Sequence, residues 1–346
     1  MNRESVFLFT GGSGGHVYPA LVLKEDLESQ GYRTILFVSN FSNFKAEPGI
    51  RSFKVSKSKP LALIQSLYMF NHLLMLFILR KTRIAVGFGG YYSLAGIVAA
   101  KVLRRKTFIY EPNMALGRAN KILAYFIDRI LVLWPEISLK PELEPKIRRI
   151  MPLIKKRSSV VVKDKRGLFS VLFAGGSSGS MFLNNLFTEI IQSDFFKGQD
   201  LKLVLIAGDK FYHKVKERVD SLHISSNINV EVYGFRNDVE IFIDEFDFLI
   251  SRAGAQVIVE SIFSEIPTLY IPYPYAGEHQ LQNARNILSK RCCFIIRQEL
   301  ADVKAVVRFI KYLARNRESL NRTKDRLRQL KDDFKKADRS IDIILK

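Results

Sequence analysis

The sequence predicts an α/β protein of two similar domains with mostly parallel sheets, facing one another across a cleft. Three observations carry that expectation. A short apolar run ends in a glycine-rich turn at Phe7-Leu-Phe-Thr-Gly-Gly-Ser-Gly-Gly15, and again at Val171-Leu-Phe-Ala-Gly-Gly-Ser-Ser-Gly179. In both halves, apolar runs of strand length alternate with amphipathic stretches, the β-α-β grammar of a parallel sheet covered on both faces. At 346 residues the chain has room for two domains of ordinary size.

In chain order, the first half predicts strands at 6–9, 34–38, 84–86, 107–110 and 129–133, with helices over 18–30 and 61–79 among them. Trp134-Pro135 and Ile150-Met151-Pro152 mark the way out, and the polar run 155–159 reads as a linker. The second half restarts with strands at 168–173, 202–206, 228–233, 248–251 and 268–271. Past Ala301 the chain turns helical and basic, and the apolar stretch 341–345 is expected to cross back onto the first domain. The expected domains are residues 1–156, completed by 338–346, and residues 157–337.

Composition narrows the class. A hydrophobic content of 47% with 25% charged residues excludes wholesale disorder. The net charge of +20 favours a polyanionic partner: nucleic acid, anionic lipid, or a substrate rich in phosphate. The lysines are scattered without interleaved aromatic platforms, which argues against RNA recognition. The two cysteines, Cys292 and Cys293, are adjacent and cannot form an ordinary disulfide, so a reducing, cytoplasmic compartment is expected. The apolar stretch near the N-terminus is a strand-length run rather than a signal-peptide core.

The stretch from Leu61 to Leu79 is about long enough to span a bilayer. It carries Gln65, Ser66, Asn71 and His72, and Lys57, Lys59, Arg80, Lys81 and Arg83 flank it. A buried core helix, a helix partly exposed to the membrane interface, and a true span all remain open. A basic rim around an apolar surface suits a peripheral membrane enzyme.

A glycine turn at a helix N-terminus leaves backbone N–H groups bare for phosphate. The first loop has no Gly-Lys-Ser/Thr sequel and no G-x-G-x-x-G spacing, so it is neither a Walker loop nor a dinucleotide fingerprint. His16 on that loop either caps a helix starting near Pro19 or faces a ligand as donor or base. The clusters Gly87-Phe-Gly-Gly-Tyr91 and Tyr110-Glu111-Pro112-Asn113, with Gly117 and Asn120 beyond, follow strands whose C-terminal ends open into a ligand crevice. In the second half, Arg252-Ala-Gly254-Ala-Gln256 opens a helix carrying Glu260, a carboxylate able to clasp a ribose diol or simply a solvated helix charge. His279, Gln280, Gln282 and Asn283 suit hydrogen bonds to a sugar or base, or an ordinary polar helix start. No D-x-D triplet and no ligand-spaced His or Cys pair occurs, so neither a metal nor another cofactor is expected. A diphosphate leaving group would then be stabilised by loop N–H groups and helix dipoles.

The motifs GGSGGHVYPAL from Gly11, GFGGYYS from Gly87, EPNxxxGxxN from Glu111, GGSSGSxxLN from Gly175, RAGAxxxxE from Arg252 and HQxxNA from His279 run in one order over nearly the whole chain. In that combination the sequence resembles the MurG family, peripheral membrane N-acetylglucosaminyltransferases that complete lipid II in peptidoglycan synthesis. The resemblance implies the GT-B fold: two Rossmann-like domains, with the UDP-GlcNAc donor held mainly by the second and a C-terminal helix crossing back to the first. It implies that Gly175, Gly176, Ser177 and Gly179 meet the diphosphate, and that Phe235 and Arg236 meet uracil through backbone atoms. Ala255, Gln256 and Val257 would cover the diphosphate, Glu260 the ribose, and Gln280 with Asn283 the GlcNAc hydroxyls. Ser13, Gly14, Gly15, His16, Gly89, Gly90, Tyr91 and Asn113 would line the acceptor side.

The implied reaction is inverting transfer of GlcNAc to the C4 hydroxyl of undecaprenyl-diphospho-MurNAc-pentapeptide, lipid I. His16 is the expected general base, because it alone among the residues named on the acceptor side titrates near neutrality, with Glu111 and Asn113 as alternatives. The expected location is the cytoplasmic face of the cell membrane, reached through the Leu61 to Leu79 region and its basic flanks. Cell-wall synthesis or division proteins are further possible partners, and nucleic acid is not expected. The chain departs from the family where Tyr110-Glu111-Pro112-Asn113 stands in place of the usual His-Glu-Gln-Asn, where Ser178 replaces a glutamine, and where Ile150-Met151-Pro152-Leu153-Ile154 lacks the usual arginine, for which Lys155 or Lys156 would substitute. A related transferase acting on another lipid such as diacylglycerol is the alternative within the class. A non-catalytic nucleotide-sugar or nucleic-acid binding protein is the alternative outside it.

Overall fold

The computed structural model describes residues 4–12, 14–39, 48–53, 59–155, 168–176, 179–196, 198, 200–236, 238–275 and 279–346, without the side chains of 53, 59–64, 66, 67, 91, 194 and 240. Two compact units result, Met1–Ile154 with Phe334–Lys346, and Lys155–Asp333. Ser13, Ser177, Ser178, Lys156 and the linker residues 157–159 lie outside the described residues.

The first unit is built on a seven-stranded parallel sheet ordered β3-β2-β1-β4-β5-β6-β7. Its elements are β1 (Ser5–Thr10), α1 (Gly14–Ser29), β2 (Arg33–Ser39), β3 (Ile50–Phe53), α2 (Lys59–Leu79), β4 (Ile84–Gly87), α3 (Tyr91–Val102), β5 (Lys106–Glu111), α4 (Arg118–Leu123), β6 (Arg129–Val132) and β7 (Ile147–Arg149). Every residue of β1 is buried, as expected of a central strand covered on both faces. Phe9 stacks on Phe37 with ring centroids 5.0 Å apart, and Phe7 meets Phe77 of α2 at 4.7 Å. Helix α3 lies close on β1 because Gly96 has no side chain; a Cβ there would fall 2.4 Å from the Phe9 ring.

One expectation needs correction, and one open choice is narrowed. The first helix starts at Gly14 rather than near Pro19, so His16 sits within its first turn and is not its cap. The glycine turn itself supplies that turn, with its N–H groups still unpaired by the helix. The stretch from Leu61 to Leu79 belongs to α2, and among the described residues no helix is long and apolar enough to cross a membrane. Instead α2 buries Met69, Leu73, Leu76 and Phe77 in the core while Tyr68, Met75, Ile78 and Leu79 stay exposed.

The second unit carries a six-stranded parallel sheet ordered β10-β9-β8-β11-β12-β13. It runs β8 (Phe169–Ala174), α5 (Met181–Gln192), β9 (Leu201–Ile206), α6 (Asp209–Asp220), β10 (Ile228–Tyr233), α7 (Val239–Phe242), β11 (Phe248–Ser251), α8 (Ala255–Phe263), β12 (Thr268–Tyr270), α9 (His279–Ser289), β13 (Phe294–Ile295), α10 (Val303–Arg315) and α11 (Arg317–Lys335). One face buries Phe173, Phe187, Leu203 and Ile250, with Val306, Ile310 and Leu313 of α10 in the same cluster. The chain then returns to the first unit from Phe334 onward. There α12 (Ser340–Ile344) packs on α1, burying Ile341 and Ile344. Asp338 bridges Ile150 in parallel, and the Met151 N–H donates to its carbonyl at 2.8 Å. The sequence reading missed β3, β7 and β13, each at the outer end of a sheet.

Candidate active site

In both sheets the strand order reverses direction beside the first strand, between β1 and β4 and between β8 and β11. Loops leaving the C-terminal ends of strands at such a switch point diverge and open a crevice for a ligand. Those are the loops that carry the glycine motifs.

In the first unit the loops after β1 and β4 are tied together. The Gly11 N–H donates to the Gly89 carbonyl at 2.8 Å, and the Ser93 hydroxyl reaches the carbonyls of Phe9 (2.7 Å) and Gly89 (2.8 Å). Gly90, at φ 84°, comes so near that a Cβ would lie 2.7 Å from the Gly11 Cα. The His16 ring packs into this contact: a Cβ on Gly89 would stand 3.2 Å from Nε2, and one on Gly11 would stand 3.3 Å from Nδ1. Burial lowers the His16 pKa below the usual histidine value, opposed in part by the negative charge of Glu111. His16 is therefore held as neutral imidazole near pH 7. Tyr91 opens α3, its side chain undescribed.

Glu111 ends β5 as a buried carboxylate whose oxygens are fully engaged. Oε1 accepts from the Asn113 N–H (3.2 Å) and from Asn113 Nδ2 (2.7 Å). Oε2 accepts from the Gly117 N–H (2.7 Å) and from Asn120 Nδ2 (3.0 Å). The spacing Glu-Pro-Asn-x-x-x-Gly-x-x-Asn is thus one hydrogen-bonded loop wound around a carboxylate. Its geometry fits an organiser and a source of negative potential at His16 better than a proton acceptor. Tyr110, buried against Phe88, places its hydroxyl at the Leu153 backbone, so two of the chain's departures from the family pattern meet at one contact.

In the second unit, Gly175 and Gly179 frame the turn into α5. A Cβ on Gly175 would fall 2.4 Å from the Ser180 nitrogen, and one on Gly179 (φ 70°) would fall 2.2 Å from the Ala207 carbonyl oxygen. Gly176, at φ 81°, accepts from the Gly179 N–H at 2.9 Å and has open space at its Cβ position. Ser180 caps α5 by accepting from the Leu183 N–H at 3.4 Å.

Arg252, whose role the sequence reading did not see, ties this loop to its neighbours. Its Nε donates to Ser180 Oγ at 3.1 Å, and its other nitrogens donate to the Ile271 carbonyl (2.9 Å) and Gln298 Oε1 (2.6 Å). The guanidinium lies 5.2 Å from the Phe182 ring and 5.5 Å from that of Tyr273, and burial pushes its pKa down to about 10, so it stays charged at neutrality. An arginine at a strand end just before a helix was the signal available in the sequence.

The residues expected at the sugar hold the backbone at β11's end. Gln280 Oε1 accepts from the N–H groups of Ala253 (3.2 Å) and Tyr273 (3.0 Å), while Asn283 Nδ2 donates to the Ala253 carbonyl at 3.3 Å. Gln256 Nε2 donates to Glu260 Oε1 at 3.1 Å one turn along α8, whose first residues include Ala255 and Val257. The Phe235 N–H donates to Asp209 Oδ1 at 2.8 Å. Arg236 forks onto Asp238 at 2.9 and 2.6 Å and lies 3.7 Å from the Phe242 ring. The structure thus gathers His16, Gly89, Gly90, Glu111 and Asn113 around the first unit's loops. It gathers Gly175, Gly176, Gly179, Ala255, Gln280 and Asn283 around the second's. Among the described residues no group of three or more His, Cys, Asp or Glu side chains is placed to hold a metal ion.

Comparison with known proteins agrees with this architecture. Residues 6–132 match the glycosyltransferase family 28 N-terminal domain and residues 170–339 the glycosyltransferase family 28 C-terminal domain. A UDP-N-acetylglucosamine–N-acetylmuramyl-(pentapeptide) pyrophosphoryl-undecaprenol N-acetylglucosamine transferase of Rickettsia felis is 30% identical over 324 residues, covering 86% of this chain and 89% of the relative. A protein of the same name from a Wolbachia of Drosophila simulans is 28% identical over 321 residues, covering 91% of each. Among solved structures, Acinetobacter baumannii MurG superposes with a TM-score of 0.74 at 21% identity, over 99% of both chains. The Streptomyces glycosyltransferase SsfS6, solved with thymidine diphosphate, gives 0.64 at 14% identity over 99% of both. Both likenesses show the same two-domain GT-B fold. The chain belongs to glycosyltransferase family 28 and, within it, to the MurG family.

Proposed function

We propose that the protein transfers GlcNAc from UDP-GlcNAc to the C4 hydroxyl of the MurNAc unit of lipid I, with inversion. The observation that carries this is the doubled switch point: each unit presents a glycine turn at a helix N-terminus beside the loop of its fourth strand, and both loops bear the family's motifs. The relatives named as N-acetylglucosamine transferases support the substrate pair.

On this reading His16 takes the proton of the acceptor hydroxyl. The C4 oxygen attacks the anomeric carbon from the face opposite UDP, the anomeric C–O bond breaks, and its electron pair leaves with the diphosphate. The imidazolium so formed is stabilised by the negative charge of Glu111, whose carboxylate four donors hold in place. The backbone N–H groups at the Gly175-Gly176 turn and at the α8 start at Ala255 stabilise the departing diphosphate. Glu260 meets the ribose diol, and the Gln280 and Asn283 amides orient the GlcNAc as well as the Ala253 backbone. Asn113 positions the acceptor, with Gly14 and Gly15 offering N–H groups to the diphosphate of lipid I.

The membrane-facing surface lies on the first unit. Helices α2 and α3 and the turn after α4 end side by side, where the adjacent strands β4, β5 and β6 begin. Leu79 (66% exposed), Val102 (61%) and Phe126 (62%) are bare there, among exposed Arg80, Lys81, Arg104, Lys121 and Arg129. An apolar surface rimmed by cations suits an anionic leaflet, and docking there would bring the enzyme to a lipid that cannot leave the bilayer.

The test is release of UDP from UDP-GlcNAc with a short-chain lipid I analogue, with the product's anomeric configuration determined. A β-linked product supports the reading. Turnover with diacylglycerol but not with lipid I would transfer the assignment to another lipid, and RNA binding with neither activity would remove it.

A further inference from the structure

Trp134 is the sequence's single tryptophan and is buried. Its indole N–H donates to the Pro112 carbonyl at 2.9 Å. The peptide joining residues 112 and 113 offers two handles, the Pro112 oxygen and the Asn113 N–H. The first is taken by Trp134 and the second by Glu111 Oε1 at 3.2 Å. A peptide unit is planar, so fixing its oxygen and its nitrogen fixes its orientation. With it goes the Cα of Asn113, from which the side chain projects.

The indole also packs against Phe334, buried, with ring centroids 5.0 Å apart in an edge arrangement. The Arg149 guanidinium lies over that phenylalanine at 5.7 Å. Phe334 is where the chain rejoins the first unit at the end of α11. The Asn113 loop is thus braced by a residue that arrives only after the whole second unit has been traversed.

We propose that Trp134 is a positioning residue for the transfer reaction: it sets the 112–113 peptide, and hence Asn113, and Phe334 keeps it in place. The kinetic consequence rests on the transfer reading above; the structural one does not, and the experiment separates them. Amide hydrogen exchange is measured at Asn113 and Gly117 in substrate-free protein, for wild type, Trp134→Phe, Phe334→Leu, and a protein carrying the isosteric benzothienylalanine at position 134, which lacks only the N–H. UDP-GlcNAc affinity and kcat with the lipid I analogue are measured on the same samples.

Exchange at both amides should quicken roughly threefold to tenfold on loss of the N–H, the weight of one hydrogen bond. Phe334→Leu should act in the same direction by less. The kcat should fall by a similar factor while UDP-GlcNAc affinity stays within twofold. A merely structural role would lower the melting temperature and leave kcat per folded molecule unchanged. Unchanged exchange at Asn113 with the benzothiophene isostere would overturn the proposal, even if Trp134→Phe misfolds. Should wild type fail to turn over lipid I, the reaction reading falls while the exchange rates still decide this one.

Discussion

The imidazole of His16 and the backbone of Gly89 are in such close contact that a methyl group on the glycine would meet Nε2 at 3.2 Å, and the ring would have to shift to admit it. Gly89 also sits at φ 96°, a conformation that favours glycine. Gly89→Ala should cost about 1–3 kcal/mol of stability through backbone strain. It should also lower kcat more than about tenfold by displacing the ring, since small misplacements at reacting groups are costly. Thermal unfolding and steady-state turnover check the two effects; wild-type turnover would place His16 outside the chemistry.

The depressed pKa of His16 fixes the sign of a pH dependence. A general base must be neutral, so kcat/KM should rise from acid pH and reach its plateau below the usual histidine range, with a limb that His16→Asn removes. Stability moves in the same direction. The unfolded chain takes up the proton near pH 6.5 and the folded chain only lower, so the contribution is present above 6.5 and is lost as pH falls toward the folded value. A pH–rate profile whose acid limb survives in His16→Asn would assign it elsewhere.

Glu111→Gln separates organiser from base. A glutamine offers one oxygen and turns an NH2 group toward donors, so contacts to Asn113 or to Gly117 and Asn120 must be lost. We expect destabilisation of about 2–4 kcal/mol, the scale of charge-assisted hydrogen bonds broken in the interior, and a slower enzyme that keeps its acid limb. Disappearance of the limb with an intact fold would instead make Glu111 the base.

Arg252→Lys keeps a charge but not the fork. A lysine has no planar geometry with which to reach Ser180, Ile271 and Gln298 together. UDP-GlcNAc binding, read by calorimetry, should weaken about tenfold or more while the lipid acceptor's KM changes little. Unaltered donor affinity would mean that the α5 cap keeps its place without the arginine.

Leu79→Glu with Phe126→Glu should weaken co-sedimentation with phosphatidylglycerol vesicles severalfold without changing the melting temperature, because both side chains are already exposed. Raising salt should weaken the wild type as well, since a cationic rim is screened within about 8–10 Å. Equal binding by the double variant would move the docking surface to another part of the molecule.

Central strands were legible because burial on both faces leaves little but apolar residues; β1, β8, β9 and β11 are apolar almost throughout. The outer strands were not. Ile147–Arg149 and Ile50–Phe53 mix charge or polarity into three or four residues, and Phe294–Ile295 is a pair, so only their neighbours define them. The start of α1 was hidden because Gly14 and Gly15 are poor helix formers. The motif loops showed where a site would lie, yet not that Gln280 and Asn283 would grip the Ala253 backbone, nor that Arg252 would span three partners. Those contacts join residues far apart in the chain, and no local pattern announces them.

The return of residues 334–346 to the first unit has a bearing on biosynthesis. The half translated first stays unfinished, its surface over α1 uncovered and Trp134 lacking its phenylalanine partner, until the later half has been made. Folding of the early half is therefore provisional on the ribosome, and a nascent chain halted before Phe334 would carry a sticky, incomplete face.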